Sequence, residues 1–279
     1  MRYDFASSMS ERTIERDDVR LSAEETGPAA GIPVVLLHGL TATRRYVVMG
    51  SRALERGGHR VIAYDARAHG RSSAASSYTY AELAGDLRAV LDAFEVERAV
   101  LAGASMGAHT LLRVALDAPE RVRGVVAVTP AFDPAGAADL DRWDALAQGL
   151  RGGGVEGFVA AYRVEDEVPA AWQETVRTVL RQRMALHADL AAVADALQAV
   201  PRSRPFESLS ELGAISVPAV VVASRDEADP GHPLTIGEAY AAAIPGARLL
   251  VEDPGKSPLA WQGGQLSRVI AELAAASSS

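Results

Sequence analysis

One stretch decides the fold of this chain: GASMG at residues 103–107, which matches the pattern G-x-S-x-G. The apolar run Ala99–Gly103 precedes it and the amphipathic segment Met106–Asp117 follows it, so Ser105 is predicted on a tight turn between a strand and a helix. Small residues are required there because glycine lets neighbouring backbone pass without a Cβ clash. Such a turn lifts the Ser105 hydroxyl to the N-terminal end of a helix, where the helix dipole and free N–H groups favour developing negative charge.

Short apolar runs alternate with longer amphipathic segments on both sides of this turn. The runs predict buried strands at Val34–Leu37, Arg60–Tyr64, Ala99–Gly103, Val122–Val128, Val217–Ala223 and Arg248–Val251. The amphipathic segments predict helices at Tyr46–Arg56, Tyr80–Phe94, Met106–Asp117, Thr235–Ile244 and Gln262–Ala275. This alternation predicts an α/β fold with a mainly parallel sheet covered by helices on both faces. The segment Arg12–Thr26 alternates more loosely and predicts antiparallel strands at one edge.

The stretch from Pro130 to Ser216 interrupts the alternation and contains only helical patterns, at Asp139–Leu150, Val155–Tyr162 and Ala170–Val200. We therefore predict a core of residues 1–129 and 217–279, with a helical cap of residues 130–216 inserted between two strands. Caps of this kind shape access to a site and exclude water; a helical excursion without a role in the site is the alternative. Five cap side chains could line an apolar acyl pocket, although residues at helical spacing more often form a core: Trp143, Phe158, Tyr162, Trp172 and Met184.

The composition fits a soluble globular protein: the 279 residues are 48% hydrophobic and 23% charged. A net charge of −8 argues against a surface for nucleic acid or anionic lipid, because phosphate binding needs clustered cations. The absence of cysteine excludes disulfides and thiolate metal sites and fits a cytoplasmic location. Met1–Asp18 has no apolar run long enough for a signal peptide or membrane anchor. We expect a small-molecule substrate or ligand, and no metal, cofactor, nucleic acid or membrane partner.

Two further motifs agree with the serine turn. LLHGL at residues 36–40 ends one strand, and YDARAHGRS at residues 64–72 follows the next. Together with GASMG, in this order, they resemble the α/β-hydrolase family of serine esterases, lactonases, C–C hydrolases and cofactor-free haloperoxidases. The resemblance implies that Ser105 is the nucleophile and that the backbone N–H groups of Leu40 and Met106 form the oxyanion hole. It gives His38 and His69 chiefly architectural roles in the loops around the pocket.

The resemblance also places the acid of a catalytic triad in the loop after the strand Val217–Ala223. Asp229 is marginally favoured by counting back from the following helix, whereas Asp226 lies closer to the strand end. Some relatives carry the acid after the sixth strand instead, which would nominate Asp133. A solvated, structural role remains open for each of these carboxylates.

The triad histidine is missing from its usual place. In the family it follows the last strand, but EDPGKSP at residues 252–258 has Lys256 there, and no histidine follows His232. Lysine has a pKa of about 10.4 and stays an ammonium beside an acid, so it cannot deprotonate serine. We therefore expect an ion pair between Lys256 and Asp229 or Asp226, at the remains of a degenerate triad.

Two substitute bases are conceivable. One is a desolvated Lys256, as in Ser-Lys enzymes, and the other is His232, reaching Ser105 from the acid-bearing loop. For His232, a structural role in the turn formed by Pro230, Gly231 and Pro233 is favoured over a role as the base. His109, four residues beyond Ser105 in the predicted helix, is expected to point away from the hydroxyl or into the core.

Three functions are compatible with these residues. The favoured one is a serine hydrolase acting on a small carboxylic ester, thioester or lactone with an atypical or incomplete triad. The second is a lyase, cyclase or isomerase that uses the oxyanion pocket without acyl transfer, because electrostatic stabilisation survives loss of the base. The third is a non-catalytic ligand-binding member of the fold. Serine at position 105 excludes the aspartate nucleophile of epoxide hydrolases.

Overall fold

The central sheet has eight strands in the computed structural model, which describes residues 9–136 and 138–277. The strands are β1 (Ser10–Arg16), β2 (Val19–Thr26), β3 (Pro33–Leu37), β4 (Arg60–Tyr64), β5 (Ala99–Ala104), β6 (Val122–Val128), β7 (Ala219–Val222) and β8 (Arg248–Leu250). Their order in the sheet is β1-β2-β4-β3-β5-β6-β7-β8. The pairs β1–β2 and β2–β4 are antiparallel and all other neighbours are parallel. The predicted parallel sheet with an antiparallel edge is confirmed.

Helices flank the sheet and fill the long connection between β6 and β7. In the described ranges they are α1 (Ala53–Arg56), α2 (Tyr80–Ala93), α3 (Met106–Asp117), α4 (Leu140–Ala161), α5 (Val164–Glu167), α6 (Gln173–Met184), α7 (Leu190–Ala199), α8 (Leu234–Ala243) and α9 (Gly263–Ala276). None of them is long and apolar enough to cross a membrane. The expectation for Met1–Asp18 falls in part on residues 1–8, which lie outside the described residues.

The sheet is buried on both faces because successive strand residues alternate between two apolar layers. Val35 and Leu37 of β3 pack in one layer with α2, α3 and α8, whereas Val34 and Leu36 pack in the other with α1 and α9. Full burial of a Val or Leu side chain stabilises the fold by about 1.5–3 kcal/mol. The near-continuous apolar runs in the sequence follow from this double burial.

The strand order reverses beside β3, which has β4 on one side and β5 on the other. The connection from β3 to β4 runs through α1 on one face, and that from β5 to β6 runs through α3 on the opposite face. A crevice opens at the carboxyl ends of the strands where connections diverge in this way. Leu37 of β3 is in register with Gly103 of β5, so the residues that follow each strand lie side by side at this crevice.

One helix predicted outside residues 130–216 is wrong. The segment Tyr46–Arg56 forms a 3-10 turn at Arg44–Tyr46 and then the four-residue α1. Met49 and Gly50 between them have φ angles of 47° and 70°, which no α-helix accommodates. The amphipathic spacing here reflects burial of Val47, Val48 and Leu54 from an irregular chain.

Residues 130–216, which we call the helical insertion, contain α4 to α7 and no strand among its described residues. The helix predicted over Ala170–Val200 divides into α6 and α7 because Asp189 caps α7, accepting hydrogen bonds from the amides of Ala191 and Ala192. The two helices predicted at residues 139–162 are both present within α4, separated at Gly154, whose φ of 58° and ψ of −142° are not helical.

The helical insertion has an apolar core of its own. Its buried members include Leu146, Leu150, Phe158, Leu180, Met184, Val193 and Leu197. Leu40, after β3, and Ala228, after β7, pack against this core. The insertion therefore contacts two loops at the carboxyl edge of the sheet.

Candidate active site

Ser105 lies on a strained turn between β5 and α3. Its backbone angles, φ 49° and ψ −113°, fall in a region that non-glycine residues rarely adopt. The two glycines of GASMG permit the turn: a Cβ on Gly107 would lie 2.3 Å from the Leu37 carbonyl oxygen, and one on Gly103 would lie 2.6 Å from the Gly107 backbone. The Ser105 side chain is thereby left half-buried at the crevice.

Two backbone N–H groups beside Ser105 are available to an oxyanion. A Cβ on Gly39 would lie 3.4 Å from the Ser105 Cβ, so the chain after β3 runs directly against the serine. Leu40 follows Gly39 and Met106 follows Ser105. Neither the Leu40 amide nor the Met106 amide is hydrogen bonded to an acceptor within the described residues. The Met106 amide is also in the first turn of α3, where the helix leaves N–H groups unpaired.

His232 bridges Ser105 and Asp229. The Ser105 Oγ donates to His232 Nε2 at 2.9 Å, and His232 Nδ1 donates to Asp229 Oδ1 at 2.8 Å. The direction follows from chemistry: an ionised carboxylate only accepts, so the ring proton lies on Nδ1 and Nε2 is left to accept from the serine. About a quarter of the His232 and Asp229 side chains remains exposed, at 24% and 23%. His232 therefore contacts Ser105 as well as its own turn, which is the less favoured of the two placements expected for it.

Only two residues separate Asp229 from His232, and a turn of the chain brings their side chains together. The His232 amide donates to the Asp229 carbonyl at 3.1 Å, closing a turn that puts both side chains on one side. α8 begins directly after this turn and packs tightly on β7, since a Cβ on Gly237 would lie 2.4 Å from the Ala223 Cβ. This packing holds the loop over the crevice.

The charge of Asp229 is well supported. Burial alone would raise the pKa of this carboxyl, but the electrostatic attraction and hydrogen bond of the His232 ring, followed by the charges of Arg183 and Arg142, lower the pKa below its ordinary value. An ionised Asp229 keeps His232 in one tautomer and stabilises an imidazolium if one forms.

Asp226 and Lys256 do not join this set. Asp226 accepts from the Ala228 amide at 3.0 Å and from Trp261 Nε1 at 2.9 Å, so its carboxylate fixes the loop and a neighbouring segment. Glu252, two residues after β8, supports the same loop by accepting from Ser224 Oγ and from the Arg225 amide. Lys256 is exposed, and its ammonium has no ion-pair partner within the described ranges, so the expected Lys256–aspartate pair is wrong.

The other candidates lie elsewhere. Asp133 is exposed and accepts from the Ala135 amide, within its own turn. His109 points into the core, where its Nε2 accepts from the amides of Ala131 and Phe132 at 3.1 Å each. Of the five side chains proposed for an acyl pocket, Phe158 and Met184 are core residues and Trp172 is 50% exposed, which leaves Trp143 and Tyr162 half-buried.

A cluster of three buried histidines, His38, His69 and His187, supports the loop that carries Leu40. The ring centroids of His38 and His69 are 5.1 Å apart, and those of His69 and His187 are 5.4 Å apart. In each ring one nitrogen accepts from an amide and the other donates to a carbonyl; the amides are those of Ala66, Thr41 and Gly70, and the carbonyls those of Gly39, Arg67 and Thr41. Every ring is therefore neutral, with a fixed tautomer.

His187 was not among the sequence candidates. It lies in the helical insertion between α6 and α7, yet it bonds to Gly70 and Thr41 of the sheet loops. With Arg183, whose Nη2 donates to the Leu40 carbonyl at 3.1 Å, it fastens the insertion to the oxyanion loop. No sequence motif marks either residue, because their partners lie more than 100 residues away in the chain.

The histidine cluster predicts acid sensitivity. Burial lowers the pKa of His187 to about 4, whereas a histidine in the unfolded chain has a pKa of about 6.5. Between these values the unfolded chain binds more protons, so acid favours unfolding. The contribution of neutral His187 to the free energy of unfolding is complete above pH 6.5. About 3 kcal/mol of it is lost as the pH falls to 4. Urea unfolding at pH 8, 6 and 4 measures it.

The variant His187→Gln isolates this titration. Its difference from the wild type at pH 8 reports only the lost contacts, because both proteins are then neutral at this position. Between pH 8 and pH 4 the variant should lose about 3 kcal/mol less stability than the wild type. An equal loss in both proteins would contradict the role of His187.

Cavity size does not locate the site. A cavity of about 490 Å³ opens beside β1 to β4, lined by residues that include Glu11, Arg44 and Asp65. It contains none of Ser105, His232 and Asp229. The chemistry at the crevice, rather than the volume, identifies the candidate active site.

A strained serine at the end of a parallel strand, hydrogen bonded to a histidine–carboxylate pair and flanked by free amides, is the arrangement that ester-hydrolase enzymes use. The chain belongs to the α/β hydrolase fold family, whose sequence model matches residues 32–263. It is an enzyme of the ester-hydrolase type, which is supported by the hydrolase and esterase relatives described next.

Three relatives illustrate the similarity. A protein assigned as carbamate hydrolase RutD, from Variovorax paradoxus, is 35% identical over 75% of this chain and 79% of its own length. Rhodomycin D methylesterase DauP, from a Streptomyces species, is 40% identical over 41% of this chain and 40% of its own length. The solved structure of a thermophilic esterase from Thermogutta terrifontis superposes with a TM-score of 0.79 at 25% identity, covering 97% of this chain and all of that one.

Proposed function

We propose that this protein is a serine hydrolase of small carboxylic esters, thioesters or lactones. The observation that carries the proposal is the position of His232, which contacts both the Ser105 hydroxyl and the Asp229 carboxylate. In this proposal the triad contains a serine, a histidine and an aspartate. It is unusual because its acid and its base both come from the loop after β7.

In the first half of the reaction, Ser105 Oγ attacks the substrate carbonyl carbon while His232 Nε2 takes the hydroxyl proton. The carbonyl oxygen becomes an oxyanion, which accepts hydrogen bonds from the amides of Leu40 and Met106. His232 then gives its proton to the departing alcohol or thiol, and the acyl group stays on Ser105.

In the second half, water attacks the acyl carbon and His232 Nε2 accepts its proton. The same two amides stabilise the second oxyanion, and its collapse returns the proton from His232 to Ser105 Oγ and releases the acid. Asp229 holds the ring and balances the imidazolium charge throughout.

The helical insertion is proposed to act as a cap over this chemistry. Its apolar core packs on Leu40 and Ala228, and its half-buried Trp143 and Tyr162 belong to the same cluster. Contact with both loops restricts the space above Ser105 and favours a small acyl group. The ester, carbamate and methyl ester chemistry in the names of the relatives supports the same class.

A fluorophosphonate probe tests the proposal directly. The wild type should be labelled stoichiometrically at Ser105 within minutes near neutral pH, because the triad makes this hydroxyl nucleophilic. Ser105→Ala should stay unlabelled, and peptide mass mapping should place the adduct in the segment that contains GASMG. A wild type that resists labelling at every pH up to about 10, or a Ser105→Ala variant that is labelled equally, would overturn it.

A further inference from the structure

The arginines of α6 differ in what they face. Arg177 pairs with Glu165 and Glu174, and Arg181 pairs with Glu156 at 2.8 Å, all at the surface. Arg183 turns inward to the oxyanion loop, and no carboxylate within the described residues forms an ion pair with it. Arg183 thus has no carboxylate in direct contact, although the charge of Asp229 acts on it.

The guanidinium of Arg183 has unused hydrogen-bonding capacity. Nη2 donates to the Leu40 carbonyl at 3.1 Å and to Thr41 Oγ1 at 2.6 Å. Nε is enclosed by protein and has no partner in the part of the chain that the structure describes. Since a guanidinium has five N–H groups, the Nη2 bonds use only part of its capacity. An enclosed, unpaired donor costs free energy, and the N–H groups that an anion could reach are those of the guanidinium tip.

The place of Arg183 is next to the chemistry. Its bonds to Leu40 and Thr41 place it at the oxyanion loop, and its charge lowers the pKa of Asp229. Burial lowers the pKa of Arg183 itself, which indicates a desolvated cation. Tyr46, whose ring lies 6.0 Å from the guanidinium carbon, covers it from one side. Arg142, the other cation near Asp229, already pairs with Glu167 at 2.7 Å.

We infer that Arg183 binds a carboxylate group of the substrate, so that the enzyme prefers esters or lactones that carry a second, free carboxylate. A planar guanidinium is suited to this ligand in shape and charge, and the desolvated setting strengthens the contact. The inference rests on the proposed function, because it concerns the substrate of the Ser105 site. Arg183 also bonds to the Leu40 carbonyl, so its effect on substrate binding must be separated from its support of the oxyanion loop.

Matched esters separate them. Monomethyl succinate and methyl butyrate offer acyl chains of similar length and differ in a terminal carboxylate or methyl group. The wild type should favour the succinate ester by about 10- to 100-fold in kcat/KM, mainly through KM, which is the range expected for a charge-assisted contact. Arg183→Met should abolish the preference, whereas the matched surface variant Arg181→Met should retain it.

Each other outcome is decisive. Equal rates for both esters in the wild type, or a variant Arg183→Met that slows both esters by the same factor, overturns carboxylate binding and leaves Arg183 as support for the oxyanion loop. If Arg183→Met does not fold, inhibition of wild-type p-nitrophenyl acetate hydrolysis takes its place: succinate should inhibit at a concentration at least about 10-fold lower than butyrate, and equal inhibition overturns the inference. The proposed function fails separately, if Ser105→Ala hydrolyses p-nitrophenyl acetate as fast as the wild type.

Discussion

Ser105→Ala is expected to lower kcat for ester hydrolysis by about a million-fold, because removing the nucleophile of such a triad disables the whole unit. The residual rate should stay above that in water, since the oxyanion amides of Leu40 and Met106 do not depend on the serine hydroxyl. Alanine avoids new bulk in the crevice, but position 105 keeps its strained backbone, with φ at 49°. Single-turnover and steady-state kinetics on a chromogenic acetate ester measure the effect.

Thermal unfolding provides the control for Ser105→Ala. The side chain is half-buried and its hydroxyl bonds only to His232 among the described residues, so the variant should melt within a few degrees of the wild type. A folded Ser105→Ala protein with a loss smaller than about tenfold would favour a non-hydrolytic enzyme that uses the oxyanion pocket alone.

His232→Ala should cause a loss of similar size, about 10,000- to a million-fold in kcat, because the Ser105 hydroxyl loses its proton acceptor. The matched comparison is Lys256→Ala, at the place where the family usually has its histidine. Lys256 is exposed and lies outside the hydrogen-bonded set, so this variant should keep wild-type activity. Steady-state kinetics of both variants on one ester decides between the two bases.

The result that would sink this assignment is the reverse pattern, with Lys256→Ala inactive and His232→Ala active. Added imidazole gives an independent readout, because a small base can enter the space left by His232→Ala and restore part of the rate. The same addition should leave Ser105→Ala unchanged, since no base can compensate for a missing nucleophile.

The proposed triad changes what we expect of the loop after β8. The resemblance implied that this loop supplies the base, whereas in the proposal the loop after β7 supplies both acid and base and the loop after β8 supports it. Glu252 accepts from Ser224 and Arg225, and Trp261 donates to Asp226. These contacts fix the turn from Asp229 to His232, so the two loops still act together at the crevice.

The local sequence determined the α/β fold and the placement of Ser105. Short-range signals suffice for both: double burial produces unbroken apolar strands, and the turn at Ser105 can form only where Gly103 and Gly107 let backbone pass closely. The positions of Leu40 and Met106 beside Ser105 follow from the same motifs, since each is adjacent to a strand end or a helix start.

Tertiary structure alone decided which side chains meet Ser105. Asp226 and Asp229 are three residues apart, and only the turn and the packing of Gly237 on Ala223 determine that Asp229 faces His232. Arg183 and His187 reach the oxyanion loop from residues more than 100 positions away. Hydrophobic periodicity records how deeply a residue is buried, but the direction of a loop side chain depends on distant packing, which no local pattern encodes.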